Sequence, residues 1–333
     1  MPVTSSRRSP YAQRAVGKKR QAEERLIDRC HRERLLDAIA VVALVTTFLL
    51  PIAGCGRAKQ SGRLKVAVSI VPLADFTREV GGDLVEVETL VPPGASPHTF
   101  EPTAGQVAFL SRAKVFVTSG LQLEAWAADV FSKVGNKEVV KVVAADAIPR
   151  DMLLKTSEAD AGGPYDPHVW LDPTLAIYQV NAIARGLAKA DPAHADTYRA
   201  NAEAYVRKLK DLDRQLAGET AAFTKRSFVA LHPAWSYFAR RYGLVEAGAI
   251  EEVPSKEPSG RLINKLVDEI KRQGITVVFA EPQINPKAAE VVAQEGGAKV
   301  KVIDPLGNPD KPDASTYIKL MQHNVAVMAE VLK

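Results

Sequence analysis

Eight short apolar runs, most of them rich in valine, alternate along this chain with longer stretches, and they fall into two sets of four. LKVAVSIV (64–71), LVEVETLV (84–91), KVFVTSG (114–120) and KEVVKVVA (137–144) come first. SFVALH (227–232), LVEAGAI (244–250), ITVVFAE (275–281) and AKVKVID (298–304) follow. Runs of this length, each separated from the next by room for a helix, are the pattern of βα repetition. That pattern demands mainly parallel sheets, because a parallel neighbour is reached only through a crossover. Between the two sets, residues 172–223 offer no strand, and apolar residues recur there at intervals of three and four, the helical period. Asp191-Pro192 interrupts this stretch, and proline suits the first turn of a second helix. From 192 to 222 that helix would be roughly 45 Å long at 1.5 Å per residue, enough to run the height of two lobes as a rigid strut. The expected fold is therefore α/β: two lobes, each a mainly parallel four-stranded sheet flanked by helices, joined by a long rigid helix. The divisions fall at 1–55 (a leader), 56–191 (N-terminal lobe), 192–222 (connecting helix) and 223–333 (C-terminal lobe).

The chain has 333 residues and a formal charge of +5, an excess that could signal a nucleic-acid partner. Its location says otherwise. Taking the ten basic and five acidic residues of 1–55 from the chain's 44 and 39 leaves 34 of each in the body. A neutral body excludes the nucleic-acid reading. In the leader, a basic stretch is followed by AIAVVALVTTFLLPIAGC, an apolar run shorter than the roughly 20 residues that span a bilayer comfortably. This is an export signal, and Ile52-Ala53-Gly54-Cys55 resembles the lipobox of bacterial lipoproteins, in which Cys55 becomes the acylated first residue. The alternative is an uncleaved anchor helix; both place the body outside the cytoplasmic membrane. With Cys30 in the leader and Cys55 carrying lipid, no disulfide within one mature chain and no thiolate metal site is expected.

Three histidines sit beside proline in loops at strand ends: His98 in SPHTFEP, His168 in YDPHVWLDP and His232 in LHPAW. Asp304 ends the last run, in VIDPLG. In open α/β sheets ligands gather beyond the carboxyl ends of the strands, so two donors come from each half. Taken singly, each has an ordinary explanation as a turn or cap residue; their joint placement points to a metal. Three imidazoles and a carboxylate suit Zn²⁺, and imidazole also accepts other first-row ions. A fully protein-ligated ion leaves no open position, the property of a binding site rather than a catalytic one. Asp-Pro on both sides of His168 fixes a turn that presents the ring without ordering a loose loop, and Trp170 is expected to pack beneath it. His194 and His323 read as surface residues. Glu101 and Glu281 are the nearest further acids, Glu101 ending a loop before the helix TAGQVAFLSRA and Glu281 expected as an acceptor that orients an imidazole.

The motifs PHTFEPT, GLQLEAW, YDPHVWLDP, HPAWSYFARRYGL, FAEPQ and IDPLG, in this order, resemble the bacterial solute-binding proteins that deliver zinc or manganese to ABC importers, particularly the zinc-uptake binding proteins. The resemblance covers nearly the whole chain after the leader. It implies a periplasmic metal-binding protein fold, a metal held between two lobes by His98, His168, His232 and Asp304, an ABC transporter permease as partner, attachment to the membrane through a lipid anchor, and a monomer. Relatives that prefer Mn²⁺ carry a carboxylate in place of the third histidine, so His232 favours Zn²⁺. The His-rich loop of many zinc-uptake members is not matched in LKTSEADAGGPYD, which has acids and glycines but no histidine. Three rivals stay open: the same fold serving Mn²⁺ or Fe²⁺, an extracytoplasmic zinc hydrolase, and an adhesive surface lipoprotein stabilised by metal.

Overall fold

The computed structural model describes residues 62–156, 163–251 and 257–333. The leader, with Cys30 and Cys55, lies outside the described residues. All eight apolar runs contain a strand: β1 Leu64–Val68, β2 Val85–Thr89, β3 Val115–Thr118 and β4 Val140–Val143 in the first half, then β5 Ser227–Ala230, β6 Val245–Ala249, β7 Val277–Ala280 and β8 Lys299–Val302. Every pairing among these eight strands is parallel, in the order β2-β1-β3-β4 and again β6-β5-β7-β8. The same topology is thus used twice, with the central strands buried; β7 is buried at every position. The strands are shorter than the runs because several runs end in a residue that keeps one backbone hydrogen bond to the neighbouring strand and then turns into a loop. Leu231 and Ile303, for example, are buried beyond the ends of β5 and β8 and lead directly into His232 and Asp304.

The helices are α1 Val71–Gly81, α2 Ala104–Leu110, α3 Ala125–Val134, α4 Pro173–Ala190, α5 Ala195–Ala221, α6 Ser236–Tyr242, α7 Gly260–Gln273, α8 Lys287–Gly296 and α9 Tyr317–Leu332. Asp172 caps α4 by accepting from the Thr174 amide, with Pro173 as first helical residue. The expected long helix is α5, entered through a short 3₁₀ turn at Pro192–His194. It runs about 40 Å at 1.5 Å per residue. Its buried stripe, Tyr198, Ala202, Tyr205, Leu209, Leu212, Leu216 and Thr220, keeps the three-and-four spacing read from the sequence.

What the stripe buries against explains how the halves are held. Early in α5, Asn201 donates to the Val80 carbonyl, the Tyr205 hydroxyl donates to Asp75, and Lys208 pairs with Glu79, all on α1. Later, Asp213 accepts from Arg241 and from the Tyr242 hydroxyl on α6, and Gln322 of α9 donates to Gln215. One apolar core runs through both halves, from Val66 and Phe76 through Trp170, Tyr205 and Leu209 to Phe279, Tyr317 and Met321. A shared core resists separation of the halves, because parting them would return this apolar area to water at roughly 25 cal/mol per Å². Among the described residues no helix is long and apolar enough to cross a membrane.

Candidate metal centre

The loop carrying His98 leaves β2 and ends at α2, whose N-terminus is closed by a capping box: Thr103 accepts from the Gln106 amide while the Gln106 side chain accepts from the Thr103 amide. Gln106 also donates to the Leu90 carbonyl at 2.6 Å, tying the two ends of the loop together. The loop's middle is held by Trp126 of α3, whose indole donates to the Pro97 carbonyl at 2.9 Å. Glu124, in the motif GLQLEAW, is buried and accepts from Ser69 Oγ and from the Ser119 and Gly120 amides. It anchors the turn from which Trp126 reaches toward Pro97.

His168 lies just before a 3₁₀ turn at Val169–Leu171 that leads into α4. Asp166 accepts from the His168 amide at 2.9 Å and faces its ring Nδ1 at 2.8 Å. A carboxylate at that distance holds the imidazole proton on Nδ1, so Nε2 points its lone pair into the cleft. Trp170 packs against His168 as expected, with ring centroids 5.4 Å apart, and its indole donates to the Pro305 carbonyl of the opposite half at 2.7 Å. His232 follows β5 and is buried.

These loops bring the three imidazoles together. His168 Nε2 is 3.3 Å from His98 Nε2 and 3.3 Å from His232 Nε2, and the ligand nitrogens of all three lie within 4.8 Å of one another. Two nitrogens bound to one tetrahedral Zn²⁺ at about 2.0–2.1 Å stand about 3.3–3.4 Å apart, so the spacing is that of neighbouring ligands on a single ion. One lone pair on His168 Nε2 cannot satisfy two imidazole N–H donors, whereas a cation satisfies all three lone pairs at once. Burial, and then the neighbouring His168 ring, pushes His98 down to about 3. His232 is held well below the ordinary imidazole range by burial and by both other rings. Neutral imidazole is the form that binds metal.

The remaining expected residues are placed differently from one another. Asp304 stands outside the imidazole cluster. Its Oδ1 accepts from the Gln283 side chain at 2.8 Å and from the Leu306 amide at 3.0 Å, a turn that holds it away. Glu281 is buried and lines the same pocket as the three histidines, with Gln283 beside it. It accepts from the Trp235 indole at 3.2 Å rather than from an imidazole, and burial pushes it well above the ordinary carboxylate value. Glu101 is exposed and does not line the pocket. His194 and His323 are surface residues paired with Asp191 and Asp313. The sequence reading missed Asp166, whose signal was an acid two places before a histidine in a tight turn, and Gln283.

A model of the family described as "Zinc-uptake complex component A periplasmic" matches residues 66–331. The zinc-binding lipoprotein AdcA of Streptococcus pneumoniae is 30% identical over 308 residues, covering 88% of this chain; this chain spans 60% of that relative's length. The high-affinity zinc uptake system protein ZnuA of Bacillus subtilis is 29% identical over 87% of this chain and 96% of its own. Among solved structures, a crystal structure of ZnuA superposes with a TM-score of 0.73 at 34% identity, covering 81% of this chain and all of the other.

Proposed function

Because this chain belongs to the zinc-uptake complex component A family, a family of solute-binding proteins, we propose that it captures Zn²⁺ outside the cytoplasmic membrane and hands it to the permease of an ABC importer. The observation that carries this reading is His168 Nε2 lying 3.3 Å from the Nε2 atoms of both His98 and His232, donors contributed by both halves. His98, His168 and His232 are the imidazole ligands, and Asp304 is the fourth donor. Asp304 reaches the ion by releasing Gln283, or by using Oδ2 while Oδ1 keeps its turn. Cys55 carries the lipid that tethers the protein, which acts as a monomer.

The test begins with the metal content of protein purified without chelator, where zinc is expected in a one-to-one ratio. His232→Ala should weaken zinc uptake by metal-free protein with an unchanged circular dichroism spectrum; equal affinity in both proteins rejects the ligand assignment. Competition of Zn²⁺ against Mn²⁺ on one metal-free sample separates the manganese alternative. A second reading, a zinc hydrolase, draws on the engagement of Asp304 by Gln283, since three histidines plus one open position is a catalytic zinc arrangement. Zinc-dependent turnover of an activated ester, lost in His232→Ala, would favour it. Incorporation of labelled lipid into wild type but not Cys55→Ser checks the anchor.

A further inference from the structure

Tyr237, on α6 in the second half, is fully buried, and its hydroxyl is inserted between two segments of the first half. It accepts from the Leu154 amide at 3.0 Å and donates to the Asp166 carbonyl at 3.0 Å. Those two segments form a small antiparallel ladder: the Asp166 amide donates to the Leu154 carbonyl, Lys155 bridges Tyr165, and the Thr156 amide donates to the Pro164 carbonyl. Tyr237 therefore closes the base of the ladder with one oxygen that serves both arms. Asp166, one of the residues it holds, is the residue whose carboxylate fixes the His168 ring. The chain of contact runs from the second half to Tyr237, to the Asp166 backbone, to the Asp166 carboxylate, to His168.

We infer that Tyr237 is a positioning residue for the cation site: across the boundary between the halves it sets where Asp166 stands, and through Asp166 it sets the orientation of His168. The inference rests on the zinc-binding reading above and deepens it. The tyrosine ring contributes packing, with Arg240 over its face at 5.1 Å, and Arg240 itself donates to the Met152 carbonyl. Replacing Tyr237 by phenylalanine keeps the ring and removes only the oxygen, leaving the Leu154 amide and the Asp166 carbonyl without that partner. Groups that orient a metal-binding histidine typically change affinity 10–100-fold when altered, and one further step out places the expected loss near the lower end, about tenfold.

Tyr242 supplies the comparison, because it lies on the same helix, is buried, and its hydroxyl donates to Asp213 at 3.2 Å, away from the site. Metal-free Tyr237→Phe, Tyr242→Phe and wild type are titrated with Zn²⁺ against a chromophoric chelator, and Co²⁺ is added as a spectroscopic probe of ligand geometry. Tyr237→Phe should bind Zn²⁺ about tenfold more weakly, chiefly through faster dissociation, and should shift the Co²⁺ ligand-field bands. Tyr242→Phe should lower the melting temperature and leave both metal readouts at wild-type values. A Tyr237→Phe protein that loses stability but keeps wild-type zinc affinity and Co²⁺ bands overturns the inference. Wild-type protein alone offers a second measurement, independent of whether the variant folds: since coupling is reciprocal, Zn²⁺ should slow hydrogen exchange at the Leu154 amide. Exchange unaffected by Zn²⁺ also overturns it. If wild type takes up no Zn²⁺, the zinc reading itself falls; if it binds and the variant matches it, only the role of Tyr237 falls.

Discussion

Acidification should destabilise the metal-free protein, and a single substitution at His98 exposes that residue's share of the loss. In the folded chain this imidazole is held down to about 3, first by burial and then by the His168 ring, against an ordinary value of 6.5 when unfolded. The sign follows from proton counting. Between those values the unfolded chain carries a proton on His98 that the folded chain does not, so lowering the pH favours unfolding, and stability present above pH 6.5 is lost on the way down. From pH 6.5 to 5 the loss reaches at most about 2 kcal/mol at 1.36 kcal/mol per pH unit. Water reaching a partly exposed ring brings it nearer to 1 kcal/mol. Glu246 acts with the opposite sign: burial pushes it up to about 7, so its contribution is present below 4.5 and lost as the pH rises through 7. His232, also held down by burial, adds to the acid loss, so the raw stability curve mixes all three and the assay is therefore a difference. Urea unfolding of metal-free wild type and His98→Gln, measured at pH 7.5, 6 and 5, should show wild type losing about 1–2 kcal/mol more than the variant. Parallel curves would refute the placement of a neutral, desolvated His98.

Asp166→Ala removes the acceptor that holds the proton on His168 Nδ1 and should weaken Zn²⁺ binding 10–100-fold in a chelator competition, with the fold retained. Asp304→Asn should weaken zinc binding by about tenfold or more, while Glu281→Gln changes it less than threefold; the reverse pattern transfers the fourth-donor role to Glu281. Saturating zinc, at about 100 times its dissociation constant, should stabilise the protein by about 2.7 kcal/mol, lost on adding chelator and measurable by thermal unfolding. Gly186→Ala in α4 tests packing: a methyl group there would run into Val142 of β4, so overpacking of about 1–3 kcal/mol should outweigh the gain of about 1 kcal/mol in helix propensity and lower the melting temperature.

The strands were legible because buried parallel strands are continuous apolar runs, and Val277–Ala280, buried at every position, needs no alternation to be recognised. The long helix was legible because its stripe from Tyr198 to Thr220 keeps one period over its whole length. The histidines could be picked out because proline beside each one marks a loop that presents a side chain. Strand order was not legible, since nothing local says that β1 and β3 are neighbours at the centre. Tyr237 was hidden for the same reason: its partners are 83 and 71 residues away, and a tyrosine in SYFARRY reads as part of an apolar helix face. Asp166 was hidden by its company, because aspartate before proline is ordinary turn chemistry, and only the fold reveals that its carboxylate faces an imidazole.

The carboxylate of the site shows where sequence and structure must be weighed together. Three neutral imidazoles carry no charge to offset that of a divalent ion taken out of water, so a nearby acid strengthens the site. Strand-end position selects Asp304, and the pocket wall presents Glu281, which burial keeps protonated to higher pH than an ordinary carboxylate. In the metal-free protein, ionising Glu281 sets it against Asp304, Glu246 and Glu251, all of which raise its pKa. Asp304 has to give up the hydrogen bond from Gln283, and that from the Leu306 amide as well if Oδ1 is the donor, at a net cost of about 0.5–1.5 kcal/mol each, or up to about 3 kcal/mol for a bond to a charged group. An ion–carboxylate contact in a partly desolvated cleft exceeds that, so the cation should draw Asp304 inward, with Glu281 in the wall behind it.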